Sequence, residues 1–145
     1  MIAATDVCPV CGEGHLEARC GKNPIEYKGV NSELDFLYSV CSSCGSEQSS
    51  ARQLRTNKRA MIEFRKKVDG LLTGKQVRAI RTKLCLNQSD AAQVFGGGPV
   101  AFSKYESDDV TQSESMDKLI RLASDLPIAY EYLLSHLSNV ESIGR

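Results

Sequence analysis

Two cysteine knuckles constrain this chain more than any other feature. They are Cys8-Pro9-Val10-Cys11-Gly12 and Cys41-Ser42-Ser43-Cys44-Gly45. Two residues between cysteines let both thiolates of one tight turn point at a single centre, and the glycine that follows can take the positive φ such a turn needs. Together the knuckles supply four thiolates, the donor set of a closed tetrahedral zinc site. Soft sulfur donors favour zinc or an iron centre over magnesium or calcium. Four thiolates leave no open position for water, which argues against catalytic zinc. The expected cofactor is therefore one structural Zn2+ held by Cys8, Cys11, Cys41 and Cys44. The competing reading is a pair of redox CxxC motifs, but no thioredoxin-like βαβ pattern surrounds either one. His15 is surplus to a complete shell and reads as a surface or packing residue. Cys20 and Cys85 have no partner at ligand spacing. Cys85 lies among apolar residues and is expected to be a small core residue.

The 29 residues between the knuckles read as strands. Residues 26–30 and 34–40 are rich in β-branched and aromatic side chains, split by the turn formers Asn31 and Ser32, and the second run partly alternates polar and apolar. This is a zinc-ribbon-like layout. A module this small buries too little surface to hold itself together, so metal binding is expected to supply much of its folding energy.

The net charge of zero hides an asymmetry. Residues 1–50 carry three basic residues against seven acidic ones, whereas residues 51–145 carry fifteen against eleven. Within 52–83 there are eleven Lys and Arg against Glu63 and Asp69 alone. An acidic head and a basic middle point to different partners for different parts, with a polyanion for the second. No apolar run is long enough to span a membrane, and the first ten residues lack the pattern of a signal peptide. Six cysteines without a secretory signal fit a reducing compartment, so a cytoplasmic location is expected.

Beyond the second knuckle the pattern becomes helical. Residues 51–68 form a basic helix, with Leu54, Met61, Phe64 and Val68 near helical spacing and Lys66 among the cations on its other surfaces. Asp69-Gly70 supplies a stop. Residues 75–84 are amphipathic. Asn87 can cap a short helix ending at Phe95. Gly96-Gly97-Gly98 ends that helix and Pro99 starts the next, which runs to Glu106. Two short helices joined by a glycine-containing turn make a helix-turn-helix. The second would lie in the major groove, with Phe102 and Tyr105 anchoring it and Val100, Ala101, Ser103 and Lys104 facing base edges. Ser113 caps a further helix and Pro127 starts the last. The expected fold class is α+β, mostly α: a zinc-binding β module over 1–50, a basic linker helix over 51–70, and a five-helix, repressor-like helix-turn-helix domain over 71–145. With no Trp and few aromatics, that core must rely on Leu, Ile, Val and Ala.

The combination resembles the MqsA-type antitoxins, also described as YgiT-type zinc-finger proteins with a helix-turn-helix domain. The resemblance rests on the two knuckles, on Phe64-Arg65-Lys66-Lys67-Val68 and on Phe95-Gly96-Gly97-Gly98-Pro99. It extends through Ala101-Phe102-Ser103-Lys104-Tyr105-Glu106 and through residues 110–121. It implies a type II antitoxin that binds a cognate toxin, commonly an mRNA-cleaving ribonuclease, through the zinc module. It also implies a homodimer, formed through the helical domain, that represses its own operon by binding a palindromic DNA operator. The chain departs from the family where Val100 replaces the usual Asn after Pro99. Val100 can make only apolar contact, for instance with a thymine methyl. Lys104 replaces the usual Arg, a more directional donor. The Gly usual after the Tyr-Glu pair gives way to Ser107-Asp108-Asp109, which brings two negative charges near the expected DNA face.

The candidate phosphate contacts are Arg55, Lys58 and Arg59 from the linker, Arg78, Arg81 and Lys83 from the next helix, and Gln88, Gly97 and Gly98 around the turn. Leftover leucines near the end offer a dimer surface, although simple core packing explains them as well. No catalytic residue is expected. A zinc-containing regulator without a toxin is the alternative function. A thiol enzyme would need a His beside a reactive Cys, and His15 and His136 lie far apart in sequence with no acid placed to orient either.

Overall fold

The computed structural model describes residues 6–143. Its strands are β1 (Leu16–Tyr27), β2 (Val30–Cys41) and β3 (Glu47–Gln48), which form one antiparallel sheet in the order β1-β2-β3. Six helices follow: α1 (Ala51–Asp69), α2 (Gly74–Lys83), α3 (Gln88–Phe95), α4 (Ala101–Glu106), α5 (Glu114–Asp125) and α6 (Pro127–Ile143). The expected class, a small β module followed by a mostly helical remainder, is the one observed. The chain divides into two units, 1–61 and 62–145, and the division falls inside α1.

In the first unit β1 and β2 form a twelve-residue hairpin that closes at Tyr27↔Val30. The turn is Lys28-Gly29, with φ of 50° and 80°. Two positive-φ residues are what a two-residue hairpin needs to match strand twist. The Glu26 carboxylate accepts the Gly29 N–H at 2.7 Å and steadies it. This corrects the expected turn at Asn31-Ser32: both residues lie inside β2, paired with Glu26 and Ile25. The outer edge of β2 is covered in two ways. β3 pairs with Ser39 and Val40. Farther along, the Asn57 amide of α1 imitates a strand, accepting from Leu37 N–H at 2.8 Å and donating to Leu37 C=O at 2.9 Å.

The second unit has one core, centred on Val77, Ala91, Phe95, Phe102, Ile120 and Ala123. Phe102 is its hub, 5.7 Å from the Phe95 ring and edge-on to Tyr105 at 5.6 Å. Helix starts are set by caps: Thr73 with Gln76 in a reciprocal capping box, Asn87 on Asp90 N–H, and Ser113 on Met116 N–H. Between α3 and α4, Gly96, Gly97 and Gly98 have φ of 88°, 100° and 92°. Three consecutive left-handed residues are tolerable only as glycine, which accounts for the triplet. The segment between α1 and α2 is pinned to α5. Leu72 N–H donates to Asp117 Oδ1 at 2.7 Å, Gln112 donates to Leu72 C=O at 2.7 Å, and Arg121 reaches both Asp117 Oδ2 at 2.7 Å and Gly70 C=O at 2.9 Å.

Lys66 and Cys85 depart from their expected environments. Lys66 is fully buried, because its ammonium donates to Asp108 Oδ1 at 2.8 Å and to Tyr105 C=O at 3.1 Å. Cys85 is exposed rather than in the core, because it sits at φ 58° in the turn that leaves α2.

Candidate metal centre and nucleic-acid face

Each knuckle is a turn of the same construction. Gly12 N–H bonds Cys8 C=O at 2.8 Å and Gly45 N–H bonds Cys41 C=O at 3.1 Å, both glycines at φ 71°. The hairpin joins the two turns, since Leu16 pairs with Cys41 at the base of the sheet. The sulfurs of Cys8, Cys11, Cys41 and Cys44 all lie within 4.8 Å of one another, a group that could hold a metal ion. Cys8 and Cys44 are 3.8 Å apart and Cys11 and Cys41 3.7 Å. A tetrahedral shell with zinc–sulfur bonds of about 2.3 Å has edges of about 3.8 Å, so the donor set fits.

The surroundings favour the thiolate at Cys8 and Cys11. Backbone N–H groups of Gly14, Ser43 and Cys44 point at the Cys11 and Cys41 sulfurs at 3.4 Å. The Gln48 amide donates to Cys8 at 3.2 Å. The Cys8 thiol is lowered to about 5, first by the Cys11 N–H, with help from Ser46, Val10 and Gln48 against the cost of burial. Cys11 is lowered as well, chiefly by the Glu13 and Gly14 N–H groups. Cys41 moves up: despite the Cys44 N–H, burial and the neighbouring Cys44 and Cys8 sulfurs prevail. A cation among the four sulfurs would relieve that mutual repulsion. Gly14 completes the centre, because any Cβ there would collide with the Cys41 sulfur. Its requirement is spatial and invisible in a reading of spacing alone. His15, Cys20 and Cys85 lie outside the cluster and are exposed.

In the second unit the expected recognition helix is α4. Val100, Ser103 and Lys104 are exposed, Val100 at 56%. Ala101 is not: it is 6% exposed and part of the core, because one turn inward from the surface it packs with Phe102. Ala101 is therefore removed from the base-facing set. Arg78, Gln88 and Ser103 line one open cleft of about 360 Å3 together with Arg81, Glu106 and Ser107. Arg81 lines this cleft but is engaged, bonded to both Glu106 oxygens and to Leu86 C=O, so its role as a free phosphate contact is corrected to that of a strut. Lys83 is drawn to the Ser124 carbonyl at 3.0 Å, at the end of α5. Gly97 and Gly98 are exposed in the turn. Arg55 and Lys58 are exposed and Arg59 half-buried, all in the first unit.

One of the two acidic charges expected near α4 is drawn inward. Asp108 is buried at φ 58°, where its Oδ1 accepts from Lys66 and from Gly74 N–H at 2.9 Å. Neither Lys66 nor the Asp108 pairing was foreseen, since 42 residues separate the partners.

Apolar side chains also gather outside the core. Leu119, Leu122, Ile128, Tyr132 and Leu133 line a groove between α5 and α6 of about 420 Å3. Ile128 is 74% and Tyr132 68% exposed. Among the described residues no helix is long and apolar enough to cross a membrane.

The sequence model of a family described as the antitoxin component of a bacterial toxin-antitoxin system, MqsA, matches residues 7–132. The chain is also similar to Antitoxin MqsA of Escherichia coli (strain K12), with 27% identity over 122 residues that cover 83% of this chain and 93% of that relative.

Proposed function

The chain belongs to the MqsA antitoxin family, and from that premise we propose that it neutralises a cognate toxin and represses its own operon by binding DNA as a homodimer. The observation that carries the DNA half is the outward face of α4. Val100, Ser103 and Lys104 are exposed there, beside a cleft lined by Arg78 and Gln88. Ser103 and Lys104 supply hydrogen-bond donors for base edges, and Val100 supplies an apolar contact for a thymine methyl. Arg78 neutralises phosphate from α2, with Gln88 at the start of α3 beside it. Arg55, Lys58 and Arg59, which belong to the first unit, are separate candidates for phosphate contact.

Zinc is the metal that best suits four thiolates with N–H support, and its role is to cross-link the two knuckles and stabilise the hairpin. The zinc module, more acidic than the rest of the chain, is the part assigned to the toxin. An acidic surface suits a basic partner such as an RNA-cleaving enzyme. The exposed groove between α5 and α6 is the surface assigned to the homodimer, since contiguous apolar patches of this kind mark protein contacts.

The test pairs two measurements. Co-expression with the protein encoded beside it should relieve that protein's growth arrest. A gel-shift titration should show preference for its own promoter duplex over random DNA. Lys104→Ala should erode that preference more than Arg78→Ala, which should weaken both duplexes alike. Equal losses on both duplexes for Lys104→Ala would reassign it to phosphate.

A further inference from the structure

We propose that Lys66 and Asp108 are a positioning pair for α4: they set where the recognition helix sits, and so control discrimination between DNA sequences rather than the stability of the fold. The inference rests on the DNA-binding reading above.

α4 is held differently at its two ends. It has six residues, and Val100 at its start makes no side-chain cap bond. It is entered through three consecutive positive-φ glycines. Its N-terminal end is held by the burial of Ala101 and Phe102 and has no directional side-chain bond at its cap. Directional bonds act at the other end, where Arg81 holds the Glu106 carboxylate from the surface side and a second, buried set involves Lys66. The Lys66 ammonium, with no solvent exposure, donates to the Tyr105 carbonyl in the last turn of α4 and to Asp108 just beyond it. The same Asp108 oxygen accepts the Gly74 N–H at the first residue of α2. Gly74 packs so closely against α4 that a Cβ would collide with the Glu106 carbonyl. One buried node thus joins the end of α1, the start of α2 and the end of α4.

Burial of an ion pair is a poor source of stability, because desolvation of both charges offsets their attraction. It is a good source of registry, because a displaced partner leaves a buried charge unpaired. Lys66 and Asp108 are buried while Ser103 and Lys104 are exposed, so the pair acts on DNA only through the placement of that helix.

The test uses the full-length zinc-loaded protein and the double variant Lys66→Met with Asp108→Asn. Met keeps the apolar stem. Asn keeps an acceptor for Gly74 and tolerates the left-handed conformation. The probes are the duplex most strongly retained by the wild type from a random pool and a scrambled duplex of equal length. The expected result is a thermal midpoint within about 5 °C of wild type, an unchanged salt slope on scrambled DNA, and a loss of about tenfold or more in preference for the selected duplex. Either single variant, which strands one buried charge, should melt well below the double. Retained preference in the double variant overturns the proposal. So does a double variant that fails to fold, because the pair would then be structural. A wild-type protein that retains no duplex preferentially removes the DNA-binding reading itself, a different failure seen before any variant is made.

Discussion

Arg81 grips Glu106 through three hydrogen bonds, from Nε to both carboxylate oxygens at 3.1 and 2.9 Å and from Nη2 to Oε1 at 2.8 Å. A fourth, from Nη1, reaches the Leu86 carbonyl at 2.9 Å. The acid that ends α4 is thereby neutralised from within by α2. The arginine that composition alone would offer to a phosphate is occupied.

This separates two arginines three positions apart. Arg78→Ala should reduce the slope of log affinity against log salt by about 0.9, the contribution of one phosphate contact on duplex DNA. Arg81→Ala should cost about 3 kcal/mol of stability, since it strands a largely buried carboxylate. Arg81→Met combined with Glu106→Leu should leave the salt slope unchanged. Gel-shift titrations at several salt concentrations, beside thermal melts, separate the two roles.

The metal centre makes a prediction at a residue that is not a ligand. Gly14→Ala should weaken zinc binding by about tenfold or more, because its methyl group would displace the Cys41 sulfur. Competition with a chromophoric chelator measures this. Wild-type protein should hold one zinc per chain, with Cys20 and Cys85 titrating as free thiols. Chelation should abolish amide protection in β1 and β2 while α2–α5 keep theirs.

Asp117 should leave a signature at low pH. Burial resists its ionisation, but the Leu72 N–H, the Arg121 guanidinium and the Gln112 amide outweigh that and hold its carboxyl below the usual 3.8. A lowered folded value means stability that is present above the unfolded value and lost as pH falls through the folded one. Asp117→Asn should therefore cost about 1–2 kcal/mol at pH 7. The difference from wild type should shrink below about pH 4. Urea melts at pH 7, 5 and 3 check the sign. A gap that widens with acid would be the wrong one.

The groove between α5 and α6 predicts a weakened dimer on Ile128→Glu. A charge at a residue 74% exposed in one copy costs that copy little. At the centre of an apolar interface it should raise the dimer dissociation constant by about thirtyfold or more. Sedimentation equilibrium of the two proteins measures it.

What could be read from the chain followed the range of the forces involved. The knuckles, the caps at Asn87 and Ser113 and the triple glycine are local devices, so residue type and spacing disclosed them. Residues 16–25 of β1 lay outside the strand expected from residue 26 on, because many side chains on both faces of the hairpin are exposed and leave little apolar alternation to read. Cys85 was misplaced because apolar neighbours suggested a core, while its left-handed backbone turns it outward. Lys66 looked like one more surface cation. Its burial depends on Asp108, 42 positions on, and no local pattern reports such a partner. Ala101 looked outward because it follows the start of a recognition helix, but a helix this short has one inner turn and Ala101 lies on it.

The central claim is that one chain joins a toxin-neutralising module to a DNA-reading one. Its most direct test is capture of the tagged, zinc-loaded protein from its native host, with quantitative mass spectrometry of what co-purifies. The account predicts a small basic ribonuclease in stoichiometric amount, whose growth arrest is relieved by co-expression of this chain. Retention of its own promoter DNA with no protein partner would contradict the account and leave a stand-alone regulator.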